Sequence, residues 1–387
     1  MNDRMARHNP SRIRTSRVRR GALGAVALSG LVLAGCASDA PQDTFKAEGP
    51  RAETIKDLAI PVGIVAIVVG IIVAIALVLV VVKFRDKGDG RTPKQTHGNT
   101  KLEIAWTIAP AVLLAAIAVP TITTIFDLNR KPDNPMEVAV IGQQWWWEFN
   151  YNDNGIITAN EMVIPVDTDV YLSITSRDVI HSFWIPRLAG KKDAVPGRVH
   201  KLNIRADKPG DYWGQCTEFC GLSHANMRIR VRALSKDDFA KWEAAQTKPY
   251  VSPTDEALKR GEAAFVAKCA SCHQINGILD ASGKPLVVDA SASLIAGAAP
   301  NLTHFASRST FAGATWPTYL DDPSTPANEA DPYAGGAVIQ NREQLEAWLR
   351  DPPKELPMAA DDKRGMPRLG LSEQEINDLA DYLYSLK

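Results

Sequence analysis

The sequence is poor in the features that usually tie down an exported protein or charge it for a polyanion. Its 387 residues include five cysteines, and 44 basic side chains are matched by 44 acidic ones. Neutral balance gives no support for nucleic-acid binding, so partners must be read from local charge. The cysteines are Cys36, Cys216, Cys220, Cys269 and Cys272, and each falls within a motif. No pair is left for a structural disulfide. There is no internal repeat, and neither of the two long apolar runs contains a histidine.

What is present begins with an export pattern. Arg12, Arg14, Arg17, Arg19 and Arg20 precede an apolar run from Ala22 to Ala34, which closes on Leu33-Ala34-Gly35-Cys36. This is the form of a bacterial lipoprotein signal whose cleavage leaves Cys36 as a lipidated first residue. An ordinary signal peptide with a chance cysteine is the alternative. The small residues directly before Cys36 and the polar stretch Ala37 to Glu48 favour lipidation. Leu58 to Val82 and Ile104 to Ile125 each exceed the roughly 20 residues that a helix needs to cross a bilayer core. Both lack the wide polar face of a helix packed on a soluble core. Between them lie Lys83, Arg85, Lys87, Arg91, Lys94 and Lys101 against Asp86 and Asp89. The excess of positive charge puts this loop in the cytoplasm and both chain ends outside.

The densest chemistry is Gly214-Gln215-Cys216-Thr217-Glu218-Phe219-Cys220-Gly221-Leu222-Ser223-His224-Ala225-Asn226-Met227. It offers two thiolates, an imidazole and a thioether on one loop. A structural zinc loop or a buried cysteine pair is the plain alternative, but structural zinc is held by Cys and His without Met. Thioether added to thiolate and imidazole favours copper. A blue-copper site needs one Cys, so two thiolates four residues apart suggest a bridged pair of ions. A second imidazole is available from His181 in Asp178-Val179-Ile180-His181-Ser182-Phe183-Trp184. Around this loop Val170 to Thr175 and Arg228 to Arg232 alternate with period two, so an all-β Greek-key domain is expected from about Met136 to Ala233.

A helix is expected over Lys236 to Ala245, followed by a linker containing Pro249 and Pro253. Cys269-Ala270-Ser271-Cys272-His273 then carries the C-x-x-C-H pattern of covalent haem c attachment. A thiol redox pair is its alternative. Helical patterning over Asp255 to Lys268, and a Ser372/Glu375 capping box leading Ile376, Leu379, Leu383 and Leu386, supply the flanking helices of a small cytochrome. For the sixth iron ligand, Met366 in Arg364-Gly365-Met366-Pro367 is preferred to Met358, because it abuts the capped helix.

From about residue 58 to residue 245 the chain resembles cytochrome c oxidase subunit II. The likeness is carried by the copper loop, His181, Leu102-Glu103-Ile104-Ala105-Trp106-Thr107-Ile108-Ala109-Pro110, Gly142-Gln143-Gln144-Trp145-Trp146-Trp147 and Asp193-Ala194-Val195-Pro196-Gly197-Arg198. It implies a binuclear copper A centre held by His181, Cys216, Cys220, His224, Met227 and the backbone carbonyl of Glu218. Beyond that stretch, the C-x-x-C-H module resembles a cytochrome c domain, which implies haem c on Cys269, Cys272, His273 and Met366. Pro300-Asn301-Leu302 resembles the segment that accepts a hydrogen bond from the proximal histidine, with an ordinary loop proline as the alternative. Trp145 matches the aromatic that receives electrons for copper A and is taken as functional, since large exposed aromatics mark partner contacts, with core or interface packing as its alternative and as the reading for Trp146 and Trp147. Glu103 matches the mouth of a proton-uptake path in subunit I, with a boundary carboxylate as the alternative. Glu218 and Asp193 match residues near a magnesium shared with subunit I. The chain has Arg177 where oxidases served by a diffusible cytochrome often carry an acid, which suits a tethered donor.

The expected architecture is a multidomain membrane protein: signal peptide 1–35, tether 36–57, a two-helix transmembrane hairpin 58–132, an all-β cupredoxin-like domain 133–246 and an all-α cytochrome c domain 254–387. The expected function is the electron-input subunit of a proton-pumping haem-copper oxidase in a bacterial cell membrane, with both redox domains on the outer side. Oxygen reduction belongs to subunit I, since neither span has the histidines to hold that site. Expected partners are subunits I and III and, upstream, a bc-type complex or a cytochrome c donor. A free-standing copper and haem lipoprotein carrier is the rival, and two spans plus Glu103 speak against it. A quinol oxidase subunit is disfavoured by the copper ligands.

Overall fold

A computed structural model describes residues 40–85, 95, 97–151, 155–248, 250–276, 299–321, 338–358 and 364–387. Helices α1 (Pro50–Phe84) and α2 (Thr100–Asn129) pack against each other. They are apolar on every side, and only Ala52 among their residues is buried. Side chains such as Leu79, Val81, Leu114 and Val119 would be untenable in water in such numbers, whereas a bilayer core solvates them. At 30 residues or more, each helix spans the hydrocarbon with length to spare. Asn99 caps α2 through the Leu102 amide.

Helix α1 starts earlier than expected. Residues 50–57, assigned to the tether by their charges, form its first two turns, with Pro50 at the helix start. They are docked: the Ala52 amide donates to the Leu188 carbonyl, and Glu48 pairs with Arg187 at 2.7 Å and Lys208 at 3.1 Å. Tertiary contact with the β domain makes these polar residues helical, which local hydropathy could not reveal.

Ten strands follow: β1 (Met136–Gln143), β2 (Trp146–Tyr151), β3 (Ile156–Ala159), β4 (Glu161–Pro165), β5 (Val170–Ser176), β6 (His181–Trp184), β7 (Lys192–Ala194), β8 (His200–Ile204), β9 (Gly210–Cys216) and β10 (Arg228–Leu234). They form two five-stranded sheets, ordered β3-β2-β1-β5-β8 and β4-β10-β9-β6-β7. The pairings β1·β5 and β4·β10 are parallel, so each sheet mixes directions through crossovers rather than hairpins alone. β5 alternates buried and half-buried residues along its length, as the sequence period requires. Inward side chains from both sheets, including Val140, Phe149, Leu172, Ile174, Phe183 and Val231, make one core.

Helix α3 (Lys236–Gln246) leads to the second redox module, whose main helices are α4 (Glu256–Lys268), α5 (Arg342–Arg350) and, after the short α6 (Pro352–Glu355), α7 (Glu373–Ser385). The intervening linker is pinned rather than loose. The His304 ring bonds the Gln246 carbonyl, and Tyr250 bonds both Glu262 and Tyr382. Gly261 lets α4 and α7 cross closely, since a Cβ there would lie 2.2 Å from the Asp378 carbonyl oxygen. Ser372 and Glu375 form the expected capping box on α7. Phe265, Ile376, Leu379 and Tyr382 fill the module's core.

Candidate functional site

The copper loop is held at its neck by a strand pair. β9 and β10 are antiparallel with Gln215 opposite Arg228, and the Cys216 amide donates to the Met227 carbonyl at 2.9 Å. The ladder therefore sets the first and last proposed ligands side by side. β6 pairs with β9, placing Phe183 opposite Cys216 and His181 two residues away. Inside the loop, Gly221 takes φ +115°, and a Cβ there would lie 2.9 Å from the Trp145 ring.

The donor atoms converge. Cys216 Sγ lies 3.8 Å from Cys220 Sγ, 3.9 Å from His181 Nδ1 and 3.3 Å from the Glu218 carbonyl oxygen. Cys220 Sγ lies 3.5 Å from His224 Nδ1 and 3.9 Å from Met227 Sδ. Donors each bound to one metal at ~2.2 Å in tetrahedral array stand about 3.6 Å apart, so this spacing suits ions seated among them. His181, Cys216 and Cys220 are buried and bring their ligand atoms within 4.8 Å of one another. Two imidazoles flank two central sulfurs, with a thioether at one end and a carbonyl at the other. That arrangement fits a two-ion soft-metal centre better than a single tetrahedral zinc.

The electrostatics favour one thiolate, at Cys216. The hydrogen bond from Cys220 pulls the Cys216 thiol far below its ordinary value, while the same contact and burial push Cys220 up. Burial would depress His181, but its bonds to Asp178 and Cys216 outweigh this and raise it. Asp178 Oδ1 bonds His181 Nε2 at 2.9 Å, orienting the ring so that Nδ1 faces the sulfurs. Burial would raise the Asp178 carboxyl, but bonds from His181 and the Gln144 and Val179 amides hold it below the carboxylate range. Sequence reasoning did not single out Asp178. Its position three residues before a ligating histidine was the available signal.

Trp145 differs from the exposed partner-contact aromatic the sequence suggested. It is 8% exposed, covered by the copper loop, and its indole Nε1 donates to the Cys220 carbonyl at 3.0 Å. Gln144 donates to the same oxygen at 2.6 Å. Trp146 and Trp147 are buried as packing residues. The side chains of Glu218 and Asp193 are exposed, and Asp193 accepts from Ser182 at 2.8 Å. Arg177 forms a two-pronged bridge to Glu148, both contacts at 3.0 Å. Glu103 is exposed in the first turn of α2, some 26 residues and about 40 Å of helix from its other end. Cys36 lies outside the described residues.

In the second module, α4 ends at Lys268 and the chain turns tightly, with the His273 amide donating to the Cys269 carbonyl at 2.9 Å. Cys269 is buried and Cys272 exposed. His273 Nδ1 bonds the Pro300 carbonyl at 2.8 Å, which leaves Nε2 free to ligate iron. Burial depresses the His273 imidazole, against the Pro300 bond, and the nearby Arg308 cation adds to the depression. A neutral ring is the ligating form. Met366 packs against the haem-module core, whereas Met358 packs against the β-domain core. The two methionines compete in sequence but belong to different hydrophobic clusters.

The "Cytochrome C oxidase subunit II, transmembrane domain" profile matches residues 40–124, the "Cytochrome C oxidase subunit II, periplasmic domain" profile residues 154–234, and the "Cytochrome c" profile residues 258–387. The chain is 35% identical to cytochrome c oxidase subunit 2 of Alkalihalophilus pseudofirmus, over 92% of this chain and 94% of that one. It is 33% identical to cytochrome c oxidase subunit 2 of Bacillus subtilis, over 94% and 96%. The quinol oxidase subunit 2 of Bacillus subtilis is 35% identical, but over only 54% of this chain and 67% of that relative. A membrane-anchored hairpin, a cupredoxin-like β domain and a C-terminal cytochrome c domain, matched nearly end to end by such relatives, make this chain a member of the cytochrome c oxidase subunit II family and a subunit of that oxidase.

Proposed function

We propose that this chain is the electron-input arm of a proton-pumping haem-copper oxidase, accepting electrons on its own haem c and passing them through copper A to haem a of subunit I. The observation that carries this is the convergence of two sulfurs, two imidazoles, a thioether and a carbonyl in one cluster whose centre, at His181, Cys216, Cys220 and Met227, is buried. Copper, when bound there, and haem, when bound at Cys269, Cys272, His273 and Met366, supply one-electron acceptors. The chain's residues do the rest. His181, Cys216, Glu218, Cys220, His224 and Met227 would hold the ions on a sheet-anchored site that need not rearrange between redox states. Met227 and His181, both fully buried, keep water from the ions. Trp145, in the turn between β1 and β2, is tied to the copper loop through its indole bond to the Cys220 carbonyl.

Glu103 stands at the far end of α2 as a proton acceptor for subunit I. Glu218 and Asp193 offer hard oxygen donors to a magnesium shared with that subunit. Phe219 and Leu222, exposed on the copper loop at 78% and 60%, suit burial against subunit I. Subunit III and an upstream bc-type or cytochrome c donor complete the assembly. The domain limits 133–246 and 254–387, a hairpin that begins at Pro50 rather than residue 58 and ends at 132, and lipidation at Cys36, belong to the same reading.

The test is purification of the tagged full chain with its partners. The expected result is two copper ions and one covalent haem per chain, with co-purifying subunit I, and heme-to-copper electron transfer at a rate independent of protein concentration. One zinc and no copper ends the copper A assignment. A chain that purifies alone and exchanges electrons only bimolecularly supports the free carrier instead.

A further inference from the structure

The haem module sits directly on the copper face. The Arg228 amide, next to Met227, donates to the Gly313 carbonyl at 3.0 Å, and Ser223 Oγ donates to the Pro357 carbonyl at 2.5 Å. Buried Glu161 accepts from the Ser309 amide at 3.1 Å, and Met358 packs into the β-domain core. The most consequential contact involves Asp178. Its Oδ1 takes His181 Nε2, the Val179 amide at 2.7 Å and Ser176 Oγ at 3.4 Å, while Oδ2 takes the Gln144 amide at 2.8 Å and Arg364 Nη1 at 3.3 Å. The Asp178 side chain is 7% exposed and that of Arg364 is 47% exposed. Arg364 precedes Met366 by two residues, so the loop bearing the haem-side methionine is bonded to the carboxylate that orients a copper-side histidine.

We propose that Arg364 is a positioning residue that reports the seating of the haem module to the copper centre through Asp178 and His181. The reading rests on the copper A and haem c assignments above. A carboxylate that accepts the His181 Nε2 proton draws electron density into the ring, makes Nδ1 a stronger donor and favours the oxidised metal. Sharing that carboxylate with a guanidinium weakens the pull. The cation itself also stabilises an added electron nearby. Both effects have the same sign, so a seated Arg364 raises the midpoint potential of the copper pair. The copper centre is then a better acceptor when its donor is in place than when the haem module has swung away.

The experiment is spectroelectrochemistry on the full chain in its oxidase, carrying copper and haem. Arg364→Gln should lower the copper midpoint potential, and Arg364→Lys, which keeps the charge, should restore most of it. Ser223→Ala removes a neighbouring contact without changing charge and should leave the potential where it was. Because Arg364 is half exposed, salt screens it. The potential of the unaltered chain should therefore fall as ionic strength rises, and that of Arg364→Gln should fall less. Amide exchange of residues 364–370, read on the same samples, should quicken in Arg364→Gln. An unmoved potential in Arg364→Gln, or an equal drop in Ser223→Ala, overturns the link. If Arg364→Gln fails to load its cofactors, a flat salt dependence of the unaltered chain overturns it equally. Missing copper or haem in the unaltered chain would instead sink the underlying assignment.

Discussion

The copper loop and the haem module solve the same problem by different means. In the copper domain the ligand loop is anchored by hydrogen-bonded strands, while Glu218, Cys220 and His224 lie on the loop itself. Cys216 and Met227 face each other across the neck of one strand pair, His181 starts the adjoining strand, and Asp178 orients it. In the haem module only Cys269, Cys272 and His273 are local to one another, at the end of α4, while Met366 comes from a loop before α7. The first site is built by a sheet and asks little of its metal. The second, as proposed, would rely on covalent attachment at one end and on packing at the other. A β-framework can therefore present donors from one anchored loop and its neighbouring strand, whereas a helical framework gathers them from elements far apart in the chain.

The strongest way to break this contrast is to remove a ligand from each side. Cys216→Ser should abolish copper A, with a loss of both ions by metal analysis, while the haem absorbance and the unfolding of the haem module stay as before. Met366→Ala should remove the low-spin His/Met haem signature and lower the haem potential. Met358→Ala should spare both and instead destabilise the copper-side core, by ~2 kcal/mol in a denaturant titration. The reverse pattern would transfer the axial role to Met358.

Packing gives the next effect. Gly261→Val drives a side chain into the α7 backbone, where the free space is nil. It should destabilise the haem module by about 3 kcal/mol and leave the copper spectrum intact. The smallest effect is electrostatic. Arg260 bonds Asp378 through both carboxylate oxygens, at 3.1 and 3.2 Å, and holds its carboxyl below the usual range. A depressed folded value means this stabilisation is complete above the unfolded carboxylate value near pH 4 and is lost as pH falls through the folded one. Asp378→Asn should therefore flatten the acid limb of the haem module's stability, by less than about 1 kcal/mol because Arg260 is half exposed.

Much of this was legible in the residues, and the reason differs by element. The spans show because a bilayer imposes composition on every face of a helix. The copper loop and C-x-x-C-H show because metal and thioether chemistry restrict both residue type and spacing. The capping box at Ser372 and Glu375 shows because it is satisfied within four residues. Residues 50–57 did not show as helix, since the partners that dock them and the preceding Glu48, namely Leu188 for Ala52 and Arg187 and Lys208 for Glu48, lie more than a hundred residues away. Trp145 read as an exposed contact residue because no local pattern announces that Gly221 and Cys220 fold over it.

By itself the sequence determined the membrane hairpin, the candidate copper and haem donors and the β and α character of the two redox modules, because each follows from short-range periodicity or from the donor chemistry of a few neighbouring side chains. Only the tertiary structure decided which methionine joins which core, that Asp178 stands behind His181, and that Arg364 reaches it from the haem side. Those facts join residues up to 186 positions apart. Such pairings depend on how two modules settle against each other, and no local rule of spacing carries that information.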